Sequence, residues 1–272
     1  LARFDPRFIA CAALWGAVTL GCTELESGSD LLVEEPGMLT GIGGSAAVEE
    51  PKWACLDGSE RPSAVALRPT VTFSLGLNDP STRSTPPEAR LKACNRFDLE
   101  CSMPLLGPLE QGADELFHAS LPQGFDGFLE ITSPAIIPAL YVFSRPLRAD
   151  FQDEFIVVSL TTARGLAASG SVQLDPSLGL VAVRTRDCLG ELTAGVRFSN
   201  DKGGTAFAFV DGVPVVGYEE SNAEGLGGFV NVPLGAVVLQ GQEAMSGRVS
   251  GTATVLLRPS WIAIVDLDPR PE

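Results

Sequence analysis

The chain has 272 residues, 45% of them apolar, and a net charge of −15 from 19 basic and 34 acidic side chains. So acidic a balance repels phosphate backbones and anionic headgroups, which argues against nucleic acid as a partner and against a chain lying flat on lipid. One histidine, and cysteines with no Cys-x-x-Cys spacing, leave no usual zinc set, and no cofactor is expected. With 29 glycines and 20 prolines, turns and short strands are favoured over long helices.

The first predicted element, residues 1–21, is a signal peptide. Arg3 and Arg7 stand against Asp5, and an apolar run over 8–21 follows. That run is roughly 14 residues, too short for a bilayer that needs about 20. Val18-Thr19-Leu20-Gly21 then leads into Cys22, and these residues resemble the bacterial lipobox. The resemblance implies cleavage before Cys22, acylation of that cysteine and a membrane anchor. The ordinary alternative is a secretory cut near Ala17 or Gly21 that leaves Cys22 as a thiol. Residues 22–50 form the lipidated cysteine and an acidic, Gly- and Ser-rich tether with a reach of roughly 30 Å. Thr23, in place of aspartate after the cysteine, implies the outer membrane under the sorting rule of enteric bacteria.

The body reads as all-β: two tandem antiparallel β-sandwich domains, at 51–149 and 171–268, joined by a short connector at 150–170. In the first block the strand-like runs are 69–75, 89–94, 116–121, 128–131 and 139–143, with a Pro- and Asx-rich loop at 76–87. The connector is expected as a helix over 153–169, with Ile156, Leu160, Ala163 and Ala167 on one face and Gly170 as its stop. A strand at 155–160 followed by a short helix fits it equally.

The second block alternates clearly. Leu180, Ala182 and Arg184 share one face of a strand, and Val181, Val183 and Thr185 the other. Asp211-Gly212 between 206–210 and 213–218 is a strong hairpin signal, because both turn positions need positive φ. Pro214 belongs on an edge strand, where its missing N–H is tolerated. Runs at 195–198, 229–232, 236–239, 251–257 and 261–267 complete the set, at a spacing that suggests a sandwich.

Asp187, Gly190, Ala194-Gly195-Val196, Asn222-Ala223-Glu224-Gly225, Gly228-Phe229 and Pro233-Leu234-Gly235 match the order of a D-x-x-G, G-V, T-D-x-x-G-x-F, P-x-G pattern, with Ser221-Asn222 in place of Thr-Asp and Leu192 in place of a proline before G-V. In this the second block resembles the carboxypeptidase regulatory-like, transthyretin-type β-sandwich domains of bacterial surface proteins. The first block echoes it more faintly at Leu121-Pro122, Gly124-Phe125 and Gly127-Phe128. The resemblance implies an Ig-like or transthyretin-like sandwich with no peptidase chemistry of its own.

Outside the leader, Cys55, Cys94, Cys101 and Cys188 allow three pairings. Cys94 with Cys101 is the first choice, closing a six-residue loop, while Cys188 is compatible with a buried thiol. His118 sits in an alternating run and reads as a strand residue rather than a general base. The chain has no G-x-S-x-G elbow. Asn78-Asp79, Asp98 with Glu100, and Asn200-Asp201 offer oxygen ligands for calcium, though at no known loop spacing. Trp53 and Trp261 are expected as core pins, not as a sugar-stacking row. The expected function is non-enzymatic: display of modules at the cell envelope for a protein or glycan partner. An accessory or cryptic hydrolase is the alternative.

Overall fold

Alternation of apolar side chains along short segments builds nearly all of the architecture. The computed structural model describes residues 51–57, 67–79, 82, 84–210 and 213–269. The leader, Cys22, the tether and the Asp211-Gly212 turn lie outside these residues. A 3₁₀ segment at Pro51–Asp57 is followed by β1 (Thr70–Asn78), β2 (Arg90–Asn95), β3 (Leu106–Leu109), β4 (Leu116–Pro122), β5 (Gly127–Thr132), β6 (Ala139–Val142) and β7 (Phe151–Ile156). After α1 (Leu160–Ser169) come β8 (Gly179–Thr185), β9 (Val196–Asn200), β10 (Thr205–Val210) and β11 (Val213–Val216). Then follow β12 (Leu226–Val232), β13 (Gly235–Glu243), β14 (Val249–Leu257) and β15 (Ile262–Leu267).

Three sheets result: a nine-stranded one ordered β11-β10-β12-β8-β15-β6-β5-β2-β3, and two of three strands, β4-β1-β7 and β14-β13-β9. Most pairings are antiparallel, but β1 with β7 and β15 with both β6 and β8 are parallel. The nine-stranded sheet has a core on each face. Leu129 and Ile131 of β5, Tyr141 of β6 and Ile264 of β15 enter the first core. Their neighbours Phe128, Leu140, Val142, Ala263, Val265 and Leu267 enter the second. Phe73, Leu75 and Phe117 of the β4-β1-β7 sheet close the first core. Phe198, Leu239 and Val255 of the β14-β13-β9 sheet close the second. The second block supplies its own small sheet and the first shares one with the connector strand β7, but the facing strands of both blocks belong to one sheet. The reason lies in β15. Its buried run from Ala263 to Leu267 leaves no solvent face, so it is stable only as a central strand.

The connector takes the strand-then-helix order of its second expected form, but the strand β7 runs over Phe151–Ile156 rather than 155–160, and α1 already begins at Leu160. Ser159 caps the helix, its Oγ accepting the Thr162 N–H at 3.0 Å. The stop differs from expectation by one residue. Ser171, not Gly170, adopts the left-handed conformation (φ 58°). Val172 N–H donates to Ala167 O and Ser171 N–H to Ala168 O, the paired bonds of a Schellman motif. A second difference is β3, which carries the cis Gly107–Pro108 bond and no alternating pattern. The loop expected from 76 begins later, since β1 continues to Asn78. Pro214 lies on the edge strand β11 as its chemistry requires, paired opposite Phe209.

The turns behind the family resemblance share one hydrogen-bond plan. Gly190 N–H donates to Asp187 O, while Leu189 and Glu191 N–H donate to the Asp187 carboxylate. Gly225 N–H donates to Asn222 O, while Glu224 and Leu226 N–H donate to Asn222 Oδ1. Thr185 between them, fully buried, donates from Oγ1 to Thr193 O at 2.7 Å. Gly225 has φ +65°, and a Cβ there would lie 2.7 Å from Thr185 O and 2.8 Å from Thr193 N. Gly225→Ala is therefore expected to cost about 2–3 kcal/mol, strain and clash together. Gly124→Ala, at φ +85° with nothing within 4 Å, is expected to cost about 1 kcal/mol. Urea unfolding midpoints of the two variants check this order.

Candidate functional site

The most unusual chemistry of the body is a buried charge cluster where four strands meet. Arg184 Nε donates to Asp266 Oδ1 at 2.5 Å and its Nη2 to Asp153 Oδ2 at 2.6 Å. Arg186 repeats the pattern, reaching Asp266 Oδ2 and Asp153 Oδ2 at 2.8 Å each. Tyr141 donates its hydroxyl to Asp266 Oδ2 at 3.2 Å. The Arg184 guanidinium also lies 4.7 Å from the Phe155 ring centroid. Two cations thus meet two carboxylates, and the cluster is neutral. Burial works to lower the Arg184 pKa, but Asp266, with Tyr141 and Asp153, holds it above the ordinary arginine value. Burial pushes the Tyr141 hydroxyl well above its usual range. Each carboxylate bridges both guanidinium groups, the arrangement of a structural bolt.

Beside the cluster, on the sheet face that continues the first core, lies an apolar cavity of about 230 Å³. The β4-β1-β7 sheet closes the first core, and the cavity lies between α1 and the neighbouring stretch of that face. The helix presents Ala163 and Ala167 to it, residues too small to reach across. Opposite stand Leu180, Ala182, Phe207, Val216, Val230 and Ile262. A larger side chain at either alanine would fill part of this space.

The residues singled out in the sequence fall elsewhere. Cys94 and Cys101 form the expected disulfide, at a Cα separation of 5.4 Å. Cys188 is not a thiol: it bonds to Cys55 across 133 residues of sequence. Choosing Cys94 with Cys101 left Cys55 as the remaining partner, and the fold brings the 3₁₀ segment to the turn at 187–190. His118 is a strand residue of β4, paired with Ser74 across from it. Its Nδ1 lies 3.0 Å from Ser74 Oγ and its Nε2 2.6 Å from Asp114 Oδ2. This Ser–His–Asp row lies in the open, with about half of the His118 and Asp114 side chains exposed. The His118 hydrogen bond holds the Asp114 pKa below its usual value.

Two of the residues expected as calcium ligands, Asp98 and Asn200, spend side-chain oxygens on turns, and Asp201 accepts the Val238 N–H across the sheet. Asp98 accepts the N–H groups of Ser102 and Met103, which hold its pKa down, and Asn200 accepts those of Lys202 and Gly203. Among the described residues no three His, Cys, Asp or Glu side chains converge as a metal set. Trp53 is buried, and Trp261 is partly buried with the Arg258 guanidinium 4.7 Å from its ring centroid. The buried cluster was missed because its members are far apart in sequence. The only early signal was Arg184 on an otherwise apolar strand face.

No family model matches the chain, and no curated protein does. The resemblance to regulatory-like domains therefore rests on its turns alone. Among solved structures the chain is similar to the Bacillus anthracis TIE protein, at 10% identity and a TM-score of 0.25, over 74% of this chain and 34% of that one. A streptococcal ancillary pilin is 14% identical with a TM-score of 0.24, over 76% of this chain and 64% of that one. A mutant of the shaft pilin spaA from Lactobacillus rhamnosus GG is 9% identical with a TM-score of 0.24, over 75% and 98%. The chain spans about a third of the first protein and under two thirds of the second. Likenesses at this level assign neither topology nor function.

Proposed function

We propose that the chain is an exported cell-envelope lipoprotein. Acyl chains on Cys22 anchor it, and it holds out a stapled β-sandwich body in a non-enzymatic binding or structural role. The observation that carries export is the use of cysteine. All four cysteines of the body are spent in two disulfides, which persist in oxidising compartments and are rare in the cytosol. The lipobox-like residues before Cys22 and the acidic tether after it support the anchor. Among the described residues the exposed large aromatic side chains are Phe97 and Tyr218, which form no stacking row. A protein partner or a scaffolding role therefore fits better than a glycan. β3 and β11 end the nine-stranded sheet, and end strands are where a partner strand would add. Metabolic labelling with a palmitate analogue tests the anchor. Wild type takes up label and Cys22→Ala does not; unlabelled wild type would remove the lipoprotein reading.

One observation favours a second reading, an accessory or cryptic hydrolase: the Ser74–His118–Asp114 row. In the serine-protease arrangement imidazole Nε2 meets the serine and Nδ1 a buried aspartate. Here the two nitrogens are exchanged and the aspartate is half exposed. A fluorophosphonate probe is expected to leave the protein unlabelled. Labelling that disappears in Ser74→Ala would establish the hydrolase instead.

A further inference from the structure

We infer that the cavity between α1 and the nine-stranded sheet is a binding site for one small, neutral, apolar molecule. This goes beyond the envelope role and does not rest on it.

Three observations bear on the ligand's class. The first is size. An engineered apolar cavity of about 150 Å³ takes up benzene. At about 230 Å³ this one has room for a fused two-ring molecule or a short acyl segment. The second is lining, which is aliphatic and aromatic from both walls, with Phe207 and Phe209 along β10. Apolar surroundings of this kind reward an apolar occupant.

The third is charge. Arg184 and Glu154 are the charged residues that line the cavity, and both are already committed. Arg184 is held between Asp266 and Asp153, and Glu154 Oε1 accepts the Asn78 amide at 2.8 Å. Among the described residues that line the cavity, the one cation is already paired, so an anionic headgroup buried here would be desolvated without compensation.

The test uses the full chain and N-phenyl-1-naphthylamine, a neutral fluorophore that brightens in apolar surroundings. The wild type is expected to raise its emission at least fivefold with saturation at one site per chain, and 1-octanol to displace it. Octanoate at the same concentration is expected to displace it at least tenfold less well. Ala167→Phe, which fills the gap from the helix, should abolish the enhancement with an unchanged or raised melting temperature. Should that variant fold poorly, Ala182→Leu fills the gap from the sheet and is read in the same way. No saturable enhancement by wild type would overturn the site, as would undiminished enhancement in both folded filling variants. Equal displacement by octanoate would overturn the neutral class. Cys22→Ala should bind as wild type does, so loss of the anchor reading leaves this one standing.

Discussion

Replacing Cys55 and Cys188 together by serine is expected to lower the unfolding free energy by about 5 kcal/mol. The bond spans 133 residues of sequence, and closing a loop that long removes much of the entropy of the unfolded chain. Cys94–Cys101, with a separation of 7, is expected to contribute about half as much by the same relation. The long bond also holds local structure. Cys55 N–H donates to Cys188 Sγ at 3.1 Å, Cys188 N–H donates to Lys52 O, and Trp53 is buried in the same segment. For a body of about 220 residues the loss corresponds to a fall in melting temperature of roughly 10–20 °C. Thermal unfolding of the 55/188 and 94/101 serine pairs, beside reduced wild type, measures it. A 55/188 fall no larger than the 94/101 fall would show that the long loop does not govern stability.

Asp266→Asn is expected to be the most damaging single polar substitution, at about 3–5 kcal/mol. Asp266 receives Arg184, Arg186 and Tyr141, and its side chain is only 10% exposed. Asparagine keeps the shape and removes the charge, leaving two guanidinium groups against one carboxylate in a poorly solvated place. An uncompensated buried charge costs far more than an intact buried pair contributes. Asp150→Asn is the comparison: it breaks an ion pair with Arg68, whose side chains are 43% and 55% exposed. Solvent screens that pair, so the unfolding midpoint should stay close to wild type. Equal midpoints for the two variants would contradict the bolt. Because β7, β6, β8 and β15 all contribute to the cluster, its failure should loosen the β4-β1-β7 sheet first. Hydrogen exchange reports this as early loss of protection at Phe73, Leu75 and Phe155.

How much of this was legible in the sequence follows from the range of each interaction. The alternating strands were readable because period two is a local property. The two faces of β8 came out as expected, Leu180 and Ala182 opposite Val181 and Val183. The turn at Asp187 and that at Asn222 were readable because each binds its own backbone within four residues. The Cys94–Cys101 pair was legible for the same reason, its partners being seven apart. What escaped is what the topology brings together. Nothing near Ile262 says that β15 enters between β6 and β8 and joins the two blocks into one sheet. Arg184 and Asp266 stand 82 residues apart, and Cys55 and Cys188 further still. β3 was invisible because Gly107-Pro108 reads as a turn. The cavity left one trace, the alanines at 163 and 167 on the face of α1 expected to carry the contact.

The proposal of an exported, covalently stapled body is tested most directly by mapping disulfides in the protein isolated from its own cells. Thiols are blocked at lysis, and peptides are analysed without reduction. The prediction is two linked pairs, one joining the peptides of Cys55 and Cys188 and one joining those of Cys94 and Cys101, recovered from the envelope fraction. Four free thiols on soluble cytoplasmic protein would contradict both the compartment and the staples on which the account rests.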